Sequence, residues 1–306
     1  MKAPLVGIVI LNYRNYNDTI QCVSSLERIN YPSFRIIIVD NDSGNGSEEA
    51  LRERFPDHVF LQTGRNGGYA AGNNAGIRRA LEEGADYVLI LNNDTLAVPD
   101  FLGKLVAYAE SNPLAGVVGP KVVDEEGNLD VTCARRRLSF ADYFWLIGPG
   151  RWIAPHNKWR KMHYYAYDYD FELTRQVDII SGSCMLIRSK VLEEIGLLDE
   201  NTFLFYEEFI LHEKMRKTAF FTAIVPSSIV IHRRHRAINA CGRKVMRHSL
   251  NSAKYYLRTY RDFGKSGTAF AIVCFEIHWG IKATRAVAKS YFSSIMAGKW
   301  LHGRIM

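Results

Sequence analysis

The chain predicts an α/β protein: a mainly parallel sheet flanked by helices, with a basic helical extension at the C-terminus. Three observations lead there. Short runs of Val, Ile and Leu recur between segments of helical periodicity through the first third of the chain. Those runs are apolar throughout, as in strands covered on both faces, and do not alternate with polar residues. Several stop abruptly at Asn and Asp, where an open α/β sheet presents its ligand-binding rim.

The elements follow in order. Leu5–Leu11 reads as the first strand, and Asp18–Ile29 as a helix with Ile20, Val23 and Leu26 on one face and Asp18 as its cap. Arg35–Val39 is a β-branched second strand ending at Asp40-Asn-Asp-Ser43, followed by a short helix at Ser47–Phe55 and a third strand at Val59–Leu61. Asn74–Glu83 reads as a helix closed by Gly84, and Tyr87–Leu91 as a fourth strand running into Asn92-Asn93-Asp94. Strand–helix alternation at this spacing implies right-handed crossovers. Leu102–Ser111 is a further helix and Ala115–Gly119 a short strand. From Cys133 to Gln176 the pattern breaks down into aromatics and cations, as in a functional loop or lid. Strands return at Val177–Ile180 and Cys184–Arg188, helices near Lys190–Ile195 and Phe209–Thr218, and strands at Thr222–Val225 and Ile229–His232.

Composition narrows the class. With 306 residues, 47% hydrophobic and 23% charged, the chain can bury a large core, and wholesale disorder is excluded. Its 5 cysteines are odd in number, scattered and without a CxxC pair, so neither a disulfide framework nor a zinc site is indicated and a reducing compartment is the simpler expectation. Met1–Leu11 reads as a first strand and not as a signal peptide, because Asn12-Tyr-Arg-Asn15 stands where a small-residue cleavage site belongs. The net charge of +7 is unevenly spread: residues 233–306 hold 15 Lys/Arg against 2 Asp/Glu. Such a block suits an anionic partner.

The rim motifs carry the chemistry. A single carboxylate at a strand end, Asp94, can hold a divalent cation against a diphosphate. Asp40-Asn-Asp-Ser43 ends the second strand in the same manner, although Asn and Asp also favour ordinary turns. Between them, Gly64-Arg-Asn-Gly-Gly-Tyr-Ala-Ala-Gly-Asn-Asn-Ala-Gly76 offers glycines for close ligand approach before a helix N-terminus. A dinucleotide fingerprint would need GxGxxG after the first strand; Asn12-Tyr13-Arg14 stands there instead, which argues against an NAD enzyme and against a nucleotidyltransferase loop.

Taken together, Ile-Val-Ile-Leu-Asn-Tyr13, Val-Asp-Asn-Asp-Ser43, Asn-Gly-Gly-Tyr-Ala-Ala-Gly-Asn-Asn74, Leu-Asn-Asn-Asp94, Ser-Gly-Ser-Cys-Met185, Gly196-Leu-Leu-Asp-Glu200, Tyr-Glu-Glu208 and Val225-Pro226 leading to His232 make the chain resemble a family 2 inverting glycosyltransferase of GT-A fold, in the rhamnosyltransferase-like branch. The resemblance spans about Leu5 to His232. It implies donor contacts at Asn12, Tyr13, Asp40, Asp42, Asn66, Gly67, Asn73 and Asn93, with Asp40 receiving the pyrimidine base. It implies Mg2+ or Mn2+ at Asp94, completed by His232, although His232 also reads as a strand-end surface residue. It places the general base at Glu208 and acceptor contacts at Asp178, Gly182 and Glu207; Asp199 can equally be structural. Two departures stand out: Glu replaces the usual Asp at 208, and Ile210 stands where a second Asp is common. They leave open a non-catalytic nucleotide-sugar-binding scaffold.

The resemblance further implies a nucleotide-sugar donor, dTDP-L-rhamnose first and UDP-hexose next, and a glycan or polyprenyl-diphosphate-linked acceptor in cell-surface polysaccharide synthesis. Three regions are expected: a donor half at 1–100, an acceptor and catalytic half at 101–235, and a basic, partly amphipathic extension at 236–306. In the extension, Lys282, Arg285 and Lys289 share one helical face, as in a helix lying on an anionic membrane, with a helix packed on the catalytic domain as the alternative. A cytoplasmic protein, peripheral on the inner face of the plasma membrane, is expected. No nucleic-acid-binding motif is present.

Overall fold

A computed structural model describes residues 2–150, 170–233, 243–278 and 280. Its centre is a sheet with strand order β3-β2-β1-β4-β10-β6-β11-β5. These strands are β1 (Val6–Asn12), β2 (Phe34–Asp40), β3 (Val59–Gln62), β4 (Tyr87–Asn92), β5 (Thr95–Ala97), β6 (Ala115–Val123), β10 (Cys184–Arg188) and β11 (Phe221–His232). β8 (Arg175–Val177) pairs with the early part of β11, while β7 (Ala134–Arg135) and β9 (Ile179–Ile180) form a separate ribbon. β1, β2, β3 and β4 run parallel; β10 runs against β4 and β6, and β11 runs with β6. The carboxyl ends of β1, β2, β4 and β11 therefore share one rim.

The burial patterns explain the sheet. β1 and β4 are buried along nearly their whole length, which only a strand covered on both faces allows. Helices α1 (Tyr16–Leu26), α2 (Ser47–Arg54), α3 (Gly68–Glu82) and α4 (Phe101–Ser111) supply the cover. α1 begins before the expected Asp18, with Asn15 in the capping position, so Asp18 lies inside the first turn. β6 runs four residues beyond the expected Gly119, to Val123. The two strands expected at Thr222–Val225 and Ile229–His232 form one strand, β11, whose register against β6 shifts between Val225 and Ile229. Pro226 falls within that irregular stretch, where the missing N–H breaks no ladder bond.

The glycine-rich segment differs most from its expectation. α3 starts at Gly68, not Asn74, so most of that segment is helix. Gly72 and Gly76 lie against β1, where an added Cβ would sit 2.4 Å from Leu11 Cδ1 and 2.4 Å from Val9 Cγ1. They serve helix–sheet packing. Gly68 has φ +87, and a Cβ there would come within 2.2 Å of the Phe203 carbonyl oxygen.

After β10 come α6 (Ser189–Ile195) and α7 (Glu207–Met215), the single turn Phe140–Asp142 (α5) having preceded them in the chain. Two further helices follow β11: α8 (Arg243–Thr259) and α9 (264–278). A second core cluster gathers Leu138 and Tyr143 from either side of α5 with Phe209 and Ile210 of α7, Tyr256 and Leu257 of α8, and Ile272 and Phe275 of α9. The described part of the extension thus packs on α7 and on the residues around α5. Arg261 is only 5% exposed and serves as an internal cation, donating to the Leu138 carbonyl at 2.5 Å with Glu213 3.5 Å away. Lys282, Arg285 and Lys289 lie outside the described residues.

Candidate active site

Asn12 and Asp40 are register partners at the ends of β1 and β2. Both are buried, and Asn12 Nδ2 donates to Asp40 Oδ1 at 2.6 Å. Asp40 also accepts from Ser43 N (3.0 Å), Ser43 Oγ (2.5 Å) and Gln62 Nε2 (3.0 Å). Its carboxylate is therefore fixed before any ligand arrives. Asn12 Oδ1 accepts from Thr19 Oγ1 at 2.8 Å, and Thr19 in turn accepts from Asn93 Nδ2 at 3.0 Å. Asn93 also donates to the Asn15 carbonyl. Its amide nitrogen thus braces the β4 turn against α1. Tyr13 is 42% exposed, with the Arg14 guanidinium 5.2 Å from its ring centroid, and Asp42 is exposed with φ 59.

Asn66 and Gly67 are held by a residue that the sequence reading did not single out. Asn41 Nδ2 donates to Asn66 Oδ1 (3.0 Å) and to the Gly68 carbonyl (3.1 Å), while Asn41 Oδ1 accepts from Gly67 N (3.3 Å). Asn73 is fully buried; its Nδ2 donates to the Tyr69 carbonyl, and its Oδ1 has no partner among the described residues.

The metal-type pair comes together across the sheet. β5 runs antiparallel to β11 with Thr95 opposite His232, which carries Asp94 to the end of β11. His232 Nε2 lies 3.0 Å from Asp94 Oδ1, and Arg233 N donates to the Asp94 carbonyl at 2.9 Å. Both side chains are partly buried, at 12% and 24% exposure. A carboxylate beside an imidazole is a donor set that fits a divalent cation such as Mn2+. Among the described residues no third His, Cys, Asp or Glu joins them.

The residues expected on the acceptor side gather at the turn into α7. Phe205 (φ 69) and Tyr206 (φ 77) occupy the left-handed region, which is costly for aromatic residues. Glu207 is 3% exposed, and its Oε1 has no partner among the described residues. Burial, reinforced by the charge of Glu208, pushes its carboxyl up to about 8. Glu208 pairs with Arg135, whose guanidinium carbon lies 4.7 Å from the Phe209 ring centroid. Glu208 also lines a water-sized cavity of about 10 Å³ with Asp178, His212 and Met185.

Tyr69 joins the halves and was missed by the sequence reading, being one aromatic inside a motif assigned to its neighbours. Its backbone N–H donates to the Phe203 carbonyl at 2.8 Å, and its hydroxyl donates to the Gly182 carbonyl at 2.6 Å. A Cβ on Gly182 would lie 3.0 Å from that hydroxyl, so the glycine accommodates Tyr69. Burial, then Glu207, Glu208, Cys184 and Asp94 in turn, raise its phenol and keep it a donor. Asp178 is placed differently. It follows Val177, which pairs with Thr222 near the amino end of β11, at the far end of that strand from His232. Its Oδ2 accepts from Arg137 N at 2.8 Å.

The profile of "Glycosyl transferase family 2" matches residues 7–196. The chain belongs to glycosyltransferase family 2. Among curated members, it is 29% identical over 238 residues to the N-acetylglucosaminyl-diphospho-decaprenol L-rhamnosyltransferase of Mycobacterium tuberculosis, covering 74% of this chain and 76% of that one. It is 23% identical to the dTDP-rhamnosyl transferase RfbF of Shigella flexneri over 260 residues, covering 84% and 79%. A mannosyltransferase from Pyrobaculum calidifontis, solved with GDP-Man and Mn2+, shares the fold at TM-score 0.58 and 15% identity, over 97% of this chain and 81% of that one. The family segment ends before α7, so Glu207, Glu208 and His232 all lie beyond it.

Ile210, standing where the resemblance led one to expect a second Asp, is fully buried in the cluster made with α8 and α9. A carboxylate there would face an apolar core without a partner. The departure thus accompanies the packing of the C-terminal helices.

Proposed function

We propose that this family 2 glycosyltransferase moves a sugar from a nucleotide donor to a glycan or polyprenyl-diphosphate-linked acceptor by inverting single displacement. dTDP-L-rhamnose is the first donor candidate and UDP-hexose the next. The Asp94–His232 pair carries the reading, since it places a carboxylate and an imidazole 3.0 Å apart on the rim beside the fixed Asn12–Asp40 network. The mycobacterial relative, an N-acetylglucosaminyl-diphospho-decaprenol L-rhamnosyltransferase, and the Shigella relative, a dTDP-rhamnosyl transferase, support the sugar and the lipid-linked acceptor.

In this reading Asp94 and His232 hold Mg2+ or Mn2+, which supplies Lewis-acid neutralisation of the departing diphosphate. Asp40 and Asn12 receive the base, Tyr13 and Asp42 border it, and the Asn66–Gly67 loop with Asn73 lies along the donor. Asn93 holds the β4 turn in place. Glu208 removes the acceptor hydroxyl proton, and Arg135 holds its carboxylate in place until the acceptor hydroxyl competes for the same oxygen. Glu207 and Gly182 shape the acceptor side, and Asp178 adjoins it through the small cavity it lines with Glu208. The work takes place on the cytoplasmic side, where nucleotide sugars are made, with the protein peripheral on the inner face of the plasma membrane.

The test is a thermal-shift and transfer panel of dTDP-rhamnose and UDP-hexoses with Mn2+ and Mg2+. Stabilisation by a dTDP compound, and transfer lost in Asp94→Ala, are the expected results. Sugar-nucleotide binding without turnover on any lipid-linked acceptor would sink the enzymatic reading.

A further inference from the structure

Helix α9 has two apolar faces. Ala271, Ile272, Cys274 and Phe275 pack into the second core cluster or beside it, while Phe270 (37% exposed), Val273 (48%) and Ile277 (37%) point outward. The neighbouring turn adds Phe140 (43%) and Trp145 (38%) to the same surface. Ring contacts make the patch continuous: Phe140 to Phe270 at 5.7 Å, Phe270 to Phe144 at 6.2 Å, and Phe144 to Trp145 at 4.9 Å between centroids. The one acid in α9, Glu276, is neutralised by Lys254 at 2.6 Å. A helix apolar on both sides does not belong in bulk water, and contiguous apolar patches mark interaction surfaces.

The charge around the patch identifies the occupant. Lys265 on α9 and Arg247 and Arg258 on α8 are exposed. The sequence after α9 carries Lys282, Arg285, Lys289, Lys299 and Arg304 and no Asp or Glu, with Tyr291, Phe292 and Trp300 among them. An apolar, aromatic surface on a helix whose following sequence is basic and free of acids matches an anionic bilayer, whose headgroups attract Lys and Arg and whose boundary accommodates Trp and Phe. Among the described residues no helix is long and apolar enough to cross a membrane, so the contact is interfacial.

We propose that the face formed by Phe140, Trp145, Phe270, Val273 and Ile277 docks on an anionic lipid bilayer. The opposite side of α9 touches the catalytic turn, with Phe275 6.1 Å from Tyr206, so docking brings α7 up to the lipid surface. The purpose of the contact rests on the lipid-linked acceptor proposed above; its geometry does not.

Flotation of the full chain with vesicles tests it. Binding is expected to vesicles mixing phosphatidylcholine with phosphatidylglycerol, and to be weak on phosphatidylcholine alone. The triple change Phe270→Ser, Val273→Ser, Ile277→Ser is expected to lower the bound fraction about tenfold while the melting temperature and the donor-induced thermal shift persist. If that variant folds poorly, Val273→Glu alone carries the same expectation. Failure of the wild type to float on the mixed vesicles would overturn the proposal, as would a folded variant that floats equally well. A dimer that the substitutions convert to monomer in the absence of vesicles would reassign the face to self-association. Transfer to a short, water-soluble acceptor separates the two readings: intact transfer with lost flotation affects docking alone, and flotation without transfer affects the acceptor alone.

Discussion

Two buried carboxylates in this site are treated in opposite ways. Asp40 is 1% exposed and receives four hydrogen bonds from Asn12, Ser43 and Gln62. Glu207 is 3% exposed and has an oxygen with no partner among the described residues. Four donors replace the water Asp40 loses in the interior, whereas burial raises the Glu207 carboxyl so that it keeps its proton. The backbones differ in kind as well. The donor side places Asp42, a residue type that tolerates it, in the left-handed region, while the acceptor side places Phe205 and Tyr206 there in succession. The proposed donor side is organised in advance; the proposed acceptor side holds backbone strain and a buried carboxyl oxygen without a partner among the described residues.

The sharpest way to break this contrast is Glu208→Gln. Loss of a general base is expected to cut turnover by about 10²- to 10⁴-fold with donor affinity retained, measured by steady-state kinetics on a verified acceptor. Near-normal turnover would move the base elsewhere. Asp94→Ala is expected to cost about 10²- to 10³-fold in turnover and to abolish the dependence of donor binding on Mn2+. Asp40→Ala should strike the donor side alone: it strands the buried Asn12 amide, costing about 1–3 kcal/mol in denaturant unfolding and weakening nucleotide binding.

Glu207→Gln tests the other carboxylate through pH. The folded carboxyl, held near 8, binds its proton more tightly than an unfolded one at 4.5. Its contribution to stability is therefore complete below the unfolded value and is lost as pH rises through 8. The amide cannot ionise, so the variant should match the wild type at pH 5 and melt a few degrees higher at pH 9. Identical melting at both pH values would show that Glu207 is solvated. The smallest effect belongs to the latch of α8. Tyr255 and Tyr260 donate to Asp199 Oδ2 at 2.9 and 2.5 Å, which answers the open question about Asp199 with a structural role. Tyr255→Phe with Tyr260→Phe should cost about 1–2 kcal/mol by denaturant midpoint and leave donor binding intact.

The sheet, the rim and the Asp94–His232 pair were legible because each leaves a local mark: an apolar run, a stop at Asn or Asp, a polar residue ending the last strand. What escaped was long-range. Nothing near Asn41 in the chain foretells that it organises Asn66 and Gly67, and nothing near Arg135 foretells that it pairs with Glu208. The glycines of α3 misled for a physical reason, since close approach to a ligand and close approach to a strand demand the same missing Cβ. Ile210 was likewise opaque until α8 and α9 supplied the apolar wall it meets.

Asp94 and His232 stand far apart in the chain, one leaving the fourth strand and the other closing the last. A ligand held between them is a removable cross-link that fastens the start of the fold to its end. Its binding free energy adds to folding by mass action, so under the metal assignment proposed above the cation and its sugar nucleotide would together raise the melting temperature of the folded chain.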